Sequence, residues 1–75
     1  MAQTAVLYTR QDCHLCEDAR EILERHGFLV ESIDIDQDDA LLRQFDECVP
    51  VVQIDGRIRF RGRVNEVLLR RLVHH

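Results

Sequence analysis

The sequence specifies an α/β domain in which helices flank a four-stranded mixed sheet, in the order β-α-β-α-β-β-α. Three features of its 75 residues predict this. A β-α-β run over residues 5–36 is short enough that its two strands must lie parallel, joined by a crossover helix. Asp55-Gly56 separates two β-prone runs and is among the strongest two-residue hairpin signals, so the strands on either side lie antiparallel. A capped helical pattern closes the chain, and together these segments leave no room for linkers, repeats or a second domain.

Ala5-Val6-Leu7-Tyr8-Thr9 is almost continuously apolar or β-branched, as expected of a central strand covered on both faces. Asp12 is placed to cap a helix from about Cys13 to His26, with Leu15, Ala19, Ile22 and Leu23 on one face and Gly27 as its stop. Leu29 to Asp36 follows as the second strand, with Ile33 and Ile35 alternating against acids. Asp38 or Asp39 then caps a short helix carrying Leu41, Leu42 and Phe45.

The hairpin strands are Val51–Ile54 and Arg57–Arg61. Arginines at alternate positions of the last strand suit an edge that must not pair with another molecule. Asn65 caps a helix from Glu66 to about Val73, and Val64 and Leu69 have the spacing of a hydrophobic staple.

Composition narrows the function. A chain this small has little core to spare for an enclosed cavity, so its chemistry is expected at the surface. No stretch is long enough to span a bilayer, and the N-terminus lacks the succession of a signal peptide, which points to the cytoplasm. Thiols are kept reduced there, so three cysteines are read as reactive or metal-binding rather than as structural staples. The net charge of −4 divides unevenly: residues 1–48 carry four arginines against twelve acids, and residues 49–75 six arginines against two. The basic third suits an acidic partner or, more simply, a solvated strand face. His74-His75, native or appended, is set aside.

Cys13-His14-Leu15-Cys16 carries the chemistry. Two cysteines three apart on the first turn of a helix face the same side and can bridge to each other. Backbone N–H groups at the helix start, with the positive end of the macrodipole, favour the anionic form of the first thiol. Arg10 and His14 add cationic support, whereas Asp12, Glu17 and Asp18 oppose it. His14 has three readings: it tunes the thiolate, protonates a leaving sulfur, or points to solvent.

Tyr8-Thr9-Arg10-Gln11-Asp12-Cys13-His14-Leu15-Cys16 resembles the active-site segment of glutaredoxins, and Cys48-Val49-Pro50 stands where that family carries Thr-Val-Pro. With Ile33-Asp34-Ile35-Asp36 and Asp55-Gly56, the chain is similar over almost its whole length to small bacterial glutaredoxin-like proteins. The resemblance implies the minimal thioredoxin fold and thiol-disulfide oxidoreductase activity. It makes Cys13 the exposed nucleophile, Cys16 the buried resolving thiol and Pro50 a cis-proline whose loop faces the active site. The implied substrate-contacting set is Arg10, His14, Leu15, Val49, Pro50 and Gly62.

Cys48 falls at the family's threonine, beside the pair, as a packing residue, an auxiliary redox thiol or a third metal ligand. Glutathione is a candidate co-substrate, but where glutaredoxins carry Gly-Gly followed by acidic or polar groups, this chain has Arg61-Gly62-Arg63-Val64-Asn65-Glu66. The partners implied are protein or glutathione disulfides and a reductant such as glutathione or thioredoxin reductase. A tightly bound cofactor, a metal, nucleic acid, a membrane and a dimer are not expected. Two alternatives stay open: a metal or iron–sulfur carrier using the thiolates, and a partner-binding module without turnover.

Overall fold

The structure is a computed structural model that describes residues 3–45 and 49–73. Strand β1 (Thr4–Thr9) leads to helix α1 (His14–Arg25) and strand β2 (Leu29–Asp34). A 3-10 turn (Ile35–Gln37), helix α2 (Asp39–Phe45), strands β3 (Val51–Ile54) and β4 (Arg57–Arg61), and helix α3 (Glu66–Val73) complete the chain. The sheet order is β2-β1-β3-β4, with β1 parallel to β2 and antiparallel to β3, and β3 antiparallel to β4. The expected element order and mixed sheet are therefore found.

Alternation along the strands divides the core into two layers. Ala5 and Leu7 of β1, Val52 and Ile54 of β3, and Phe60 of β4 pack with Ala19 and Leu23 of α1, Phe28, and Val64 and Leu69 around α3. Val51 packs in a smaller cluster with Ile35 and Phe45, flanked by Tyr8, Leu41, Leu42 and Val49. Helices α1 and α3 thus cover one face of the sheet and α2 the other. Tyr8 closes the smaller cluster, its ring 4.8 Å from that of Phe45 and its hydroxyl donating to Gln53 Oε1 at 3.3 Å.

Helix and turn boundaries follow local hydrogen bonding. At the end of α1 the Gly27 amide donates to the Glu24 carbonyl and the Phe28 amide to that of Leu23, a Schellman closure that needs the positive φ of 87° at Gly27. Asp38 caps α2, its Oδ1 accepting from the Ala40 and Leu41 amides at 2.9 and 3.3 Å. Asn65 caps α3 in the same way through Val67 and Leu68. Both central residues of the hairpin have positive φ, 55° at Asp55 and 78° at Gly56, the backbone of a type I′ turn.

Four expectations need correction. β2 stops at Asp34 instead of Asp36, because Asp34 Oδ1 accepts from the Asp36 amide at 2.9 Å and turns the chain into the 3-10 element. Asp12 does not cap α1: it occupies the turn itself, with φ 58°, and Cys13 is the cap. Leu15 does not share the burial of Ala19 and Leu23; it lies on the first turn of α1, beyond the core, and is 41% exposed. The regular alternation of β4 is broken by a bulge, since Val52 pairs with Phe60 and Gln53 with Ile58, which leaves Arg59 unmatched and Ile58 exposed. Among the described residues, no helix is long and apolar enough to cross a membrane.

Candidate functional site

Register alone gathers the site. Tyr8 of β1 faces Val51 of β3, and Val51 faces Arg61 of β4. The loop after β1, the loop before β3 and the loop after β4 therefore emerge at one end of the sheet. These loops carry Arg10 to Cys13, Val49-Pro50, and Gly62-Arg63. The Val49-Pro50 bond is cis, as the resemblance implies. Gly62 donates its amide to the Pro50 carbonyl at 2.7 Å, so two residues expected at the site are joined directly. The positive φ of 82° at Gly62 turns the chain out of β4 at this point.

Cys13 is both the helix cap and the half-exposed thiol. Its extended backbone precedes the first helical residue, its carbonyl accepts from Glu17 and its Sγ accepts from the Cys16 amide at 3.2 Å. An N–H at the positive end of a helix, aimed at a sulfur, stabilises that sulfur when it carries charge. Cys16 sits one turn on, only 3% exposed, and both are free thiols. Burial pushes the Cys16 thiol up, and the neighbouring Cys13 adds to the rise. The Thr9 hydroxyl and the Arg10 backbone oppose it more weakly. Two thiols three residues apart thus occupy different environments, one solvated and facing a helix terminus, the other held protonated in the core.

The remaining expected residues divide. His14 is 96% exposed on its side chain and faces Glu17 across 4.0 Å, which is the solvent reading. Arg10 pairs with Asp36: Nη2 lies 3.0 Å from Oδ1, and Nε donates to Oδ2 at 3.3 Å. Leu15 borders a groove of about 140 Å³ whose walls are Leu15, Asp18, Ala19 and Ile22 of α1 and Arg63 and Val64 before α3. Val49 is half-buried and Pro50 buried. Cys48 lies outside the described residues, as do His74 and His75. Among the described residues, no three His, Cys, Asp or Glu side chains form a metal-binding group.

Sequence reasoning missed Asp36 as a site neighbour, and Ala19 and Ile22 as groove walls; Asp18 it places beside the cysteine pair, and Arg63 and Val64 in the stretch set against the glutaredoxin Gly-Gly segment. For Asp36 a signal existed. In a parallel β1–β2 pair with Thr9 opposite Asp34, whatever follows one strand lies beside whatever follows the other.

Comparison with known proteins agrees with this geometry. Residues 4–74 match the model of a family described as a glutaredoxin-like domain (DUF836). A curated relative from Dictyostelium discoideum, named glutaredoxin-like protein YDR286C homolog, is 35% identical over 69 residues, 79% of this chain. The match spans 64% of that relative's length. The X-ray structure of XcR50 from X. campestris superposes with a TM-score of 0.79 at 31% identity, covering 92% of this chain and 93% of the other. NrdH-redoxin from Escherichia coli, a glutaredoxin-like protein described as having a thioredoxin-like activity profile, superposes with a TM-score of 0.68 at 27% identity, again over 92% and 93%.

Proposed function

The chain belongs to the glutaredoxin-like domain family, and from that premise we propose that it is a thiol-disulfide oxidoreductase working through Cys13 and Cys16. The observation that carries the reading is the contrast within the pair: a half-exposed Cys13 sulfur receiving the Cys16 amide at 3.2 Å, above a buried Cys16 whose thiol is pushed up by its burial.

The reaction starts with the Cys13 thiolate attacking one sulfur of a substrate disulfide. The substrate S–S bond breaks, its second sulfur departs as a thiolate with the electron pair, and Cys13 is left in a mixed disulfide. Cys16 stays protonated during this step, which keeps it from competing as nucleophile. It then attacks Cys13 Sγ, giving its proton to a departing substrate thiolate, and the Cys13–Cys16 disulfide forms. One disulfide has been reduced and two protein thiols oxidised. The cycle uses only the two thiols and an external reductant, glutathione or a thioredoxin reductase. We place this work in a reducing, cytoplasmic setting, on protein or glutathione disulfides, with the chain as a monomer.

Disulfide reduction by wild type, Cys13→Ser and Cys16→Ser, regenerated either by glutathione with its reductase or by thioredoxin reductase, tests the assignment. Cys13→Ser is expected to be inactive and Cys16→Ser to accumulate mixed disulfides. Full turnover by Cys13→Ser would overturn it. Comparing the two regenerating systems identifies the reductant.

A further inference from the structure

Four of the chain's ten arginines fall within residues 57–63, a stretch that holds none of its fourteen acids. Arg57, Arg59 and Arg61 lie on β4, whose outer side is an edge of the sheet, and Arg63 follows in the loop. All four are exposed, and none forms an ion pair among the described residues. Arg10, Arg20 and Arg70, by contrast, each pair with a carboxylate. The bulge decides how the row is presented. Arg57 pairs with Ile54, which packs toward α1 and α3, whereas Arg61 pairs with Val51, which packs toward α2. The arginines therefore leave both faces of the strand, and the positive charge belongs to the edge itself.

The row ends at the cysteine site. Gly62, between Arg61 and Arg63, donates to the Pro50 carbonyl at 2.7 Å, and Arg63 lines the groove beside Leu15. The start of α1 has the opposite sign, with Asp12, Glu17 and Asp18 exposed around Cys13. An anionic partner is thus drawn to β4 and repelled from α1, which fixes the side from which it approaches.

We propose that the β4 edge is a docking surface for an acidic polypeptide segment, and that the disulfides this chain reduces are those of proteins carrying such a segment beside the disulfide. The inference rests on the oxidoreductase reading for the substrate class, while the docking depends on charge alone. Arginines and a bulge oppose strand addition, so the contact is made by guanidinium groups on carboxylates. A nucleic acid, charged uniformly along its backbone, would also set phosphates against the acids of α1, whereas a polypeptide can confine its acids to one segment. A second copy offers Glu31 and Asp34 on its β2 edge, but a β4-to-β2 contact is head-to-tail and extends without closing.

Reduction of two cystine peptides by the dithiol protein tests the proposal, the residues beside the cystine being glutamates in one and lysines in the other. At low ionic strength the glutamate peptide is expected to react about tenfold faster, and the preference to shrink as salt is added. Arg57→Glu combined with Arg59→Glu, both at the hairpin end of β4, should abolish the preference and leave the rate on neutral bis(2-hydroxyethyl) disulfide unchanged. Equal measurable rates on the two peptides in wild type, or a preference that the double variant keeps, would overturn the proposal.

A second measurement titrates a cysteine-free glutamate peptide into wild type and follows amide shifts. Shifts are expected across residues 57–63 and are expected to be lost in the double variant. Shifts centred elsewhere, tighter binding of a single-stranded oligothymidylate, or low-salt self-association that the double variant removes would each overturn the inference. If wild type reduces none of these disulfides, the oxidoreductase reading fails, while this titration still decides whether the edge binds an acidic chain.

Discussion

His26 Nε2 and Glu66 Oε2 lie 3.3 Å apart, joining the last turn of α1 to the first residue of α3. The Glu66 carboxylate stands at a helix N-terminus, the end that favours negative charge. The hydrogen bond from His26, assisted by the charge of Arg25 and by Arg70, holds the Glu66 carboxyl below the ordinary carboxylate range.

A lowered carboxyl stabilises the fold above its ordinary range, and that contribution disappears as pH falls through the lowered folded value. Glu66→Gln is therefore expected to lose stability at pH 6 and to show a shallower decline on further acidification. Urea unfolding midpoints between pH 6 and pH 2 measure the slope; a Glu66→Gln profile parallel to wild type would contradict the linkage.

Cys16 acts at the other end of the scale. Its raised thiol stabilises the reduced protein fully below the ordinary cysteine range, and the contribution is lost as pH rises through the higher folded value. Reduced wild type should lose stability above about pH 8.5, and Cys16→Ala, despite a lower starting stability, should lose less over the same interval. Denaturant melts under reductant at stepped alkaline pH give the comparison. The same burial predicts that a bulky alkylating reagent at neutral pH labels Cys13 well before Cys16, as a mass spectrum of partly modified protein would register.

Cys13 is the cap of α1 and the proposed nucleophile, and the two roles separate by substitution. Serine retains an acceptor at the cap position and alanine does not. Cys13→Ala is expected to be about 1 kcal/mol less stable than Cys13→Ser, with both variants expected to be inactive in disulfide exchange. Thermal melts of the two reduced variants check the difference, and equal melting temperatures would show that the Sγ contact adds nothing to α1.

Leu69 is fully buried and completes the core between α3 and the sheet. Leu69→Ala should cost about 2–5 kcal/mol, a large part of the roughly 5–15 kcal/mol that holds a small domain together. Its partner in the staple, Val64, also lines the groove beside Leu15, so loosening α3 disturbs the site wall as well. Chemical denaturation measures the loss, and a value under about 1 kcal/mol would mean that the cavity collapses around the deletion.

The layout was legible where a local pattern has one structural solution. Asp55-Gly56 could scarcely be anything but a hairpin turn, and a β-α-β segment of this length forces parallel strands. Asn65 capped its helix as expected because the cap and the amides that donate to it lie within three residues. The paired cysteines and Pro50 were visible from motif and resemblance. Competition between equivalent local groups was harder to read. Asp12 and Cys13 both stand before α1, and the sulfur became the cap while Asp12 took the left-handed turn conformation. Asp34 could continue β2 or bond the amide two residues on, and the second outcome ended the strand. Least legible were contacts made by register alone. Arg10 and Asp36 are 26 residues apart, Pro50 and Gly62 meet only through the hairpin, and the bulge at Arg59 leaves no mark in the arginine alternation.

The sulfur cap on α1 has an analytical consequence. Because the Cys16 amide donates to Cys13 Sγ, its proton senses the electron density on that atom. In the proposed exchange Cys13 passes from thiol to disulfide, which changes the acceptor, so the resonance of this one backbone amide is expected to shift with oxidation state. That amide is thereby expected to serve as a spectroscopic gauge of the pair's redox poise, readable by titrating a thiol buffer without any label or coupled enzyme.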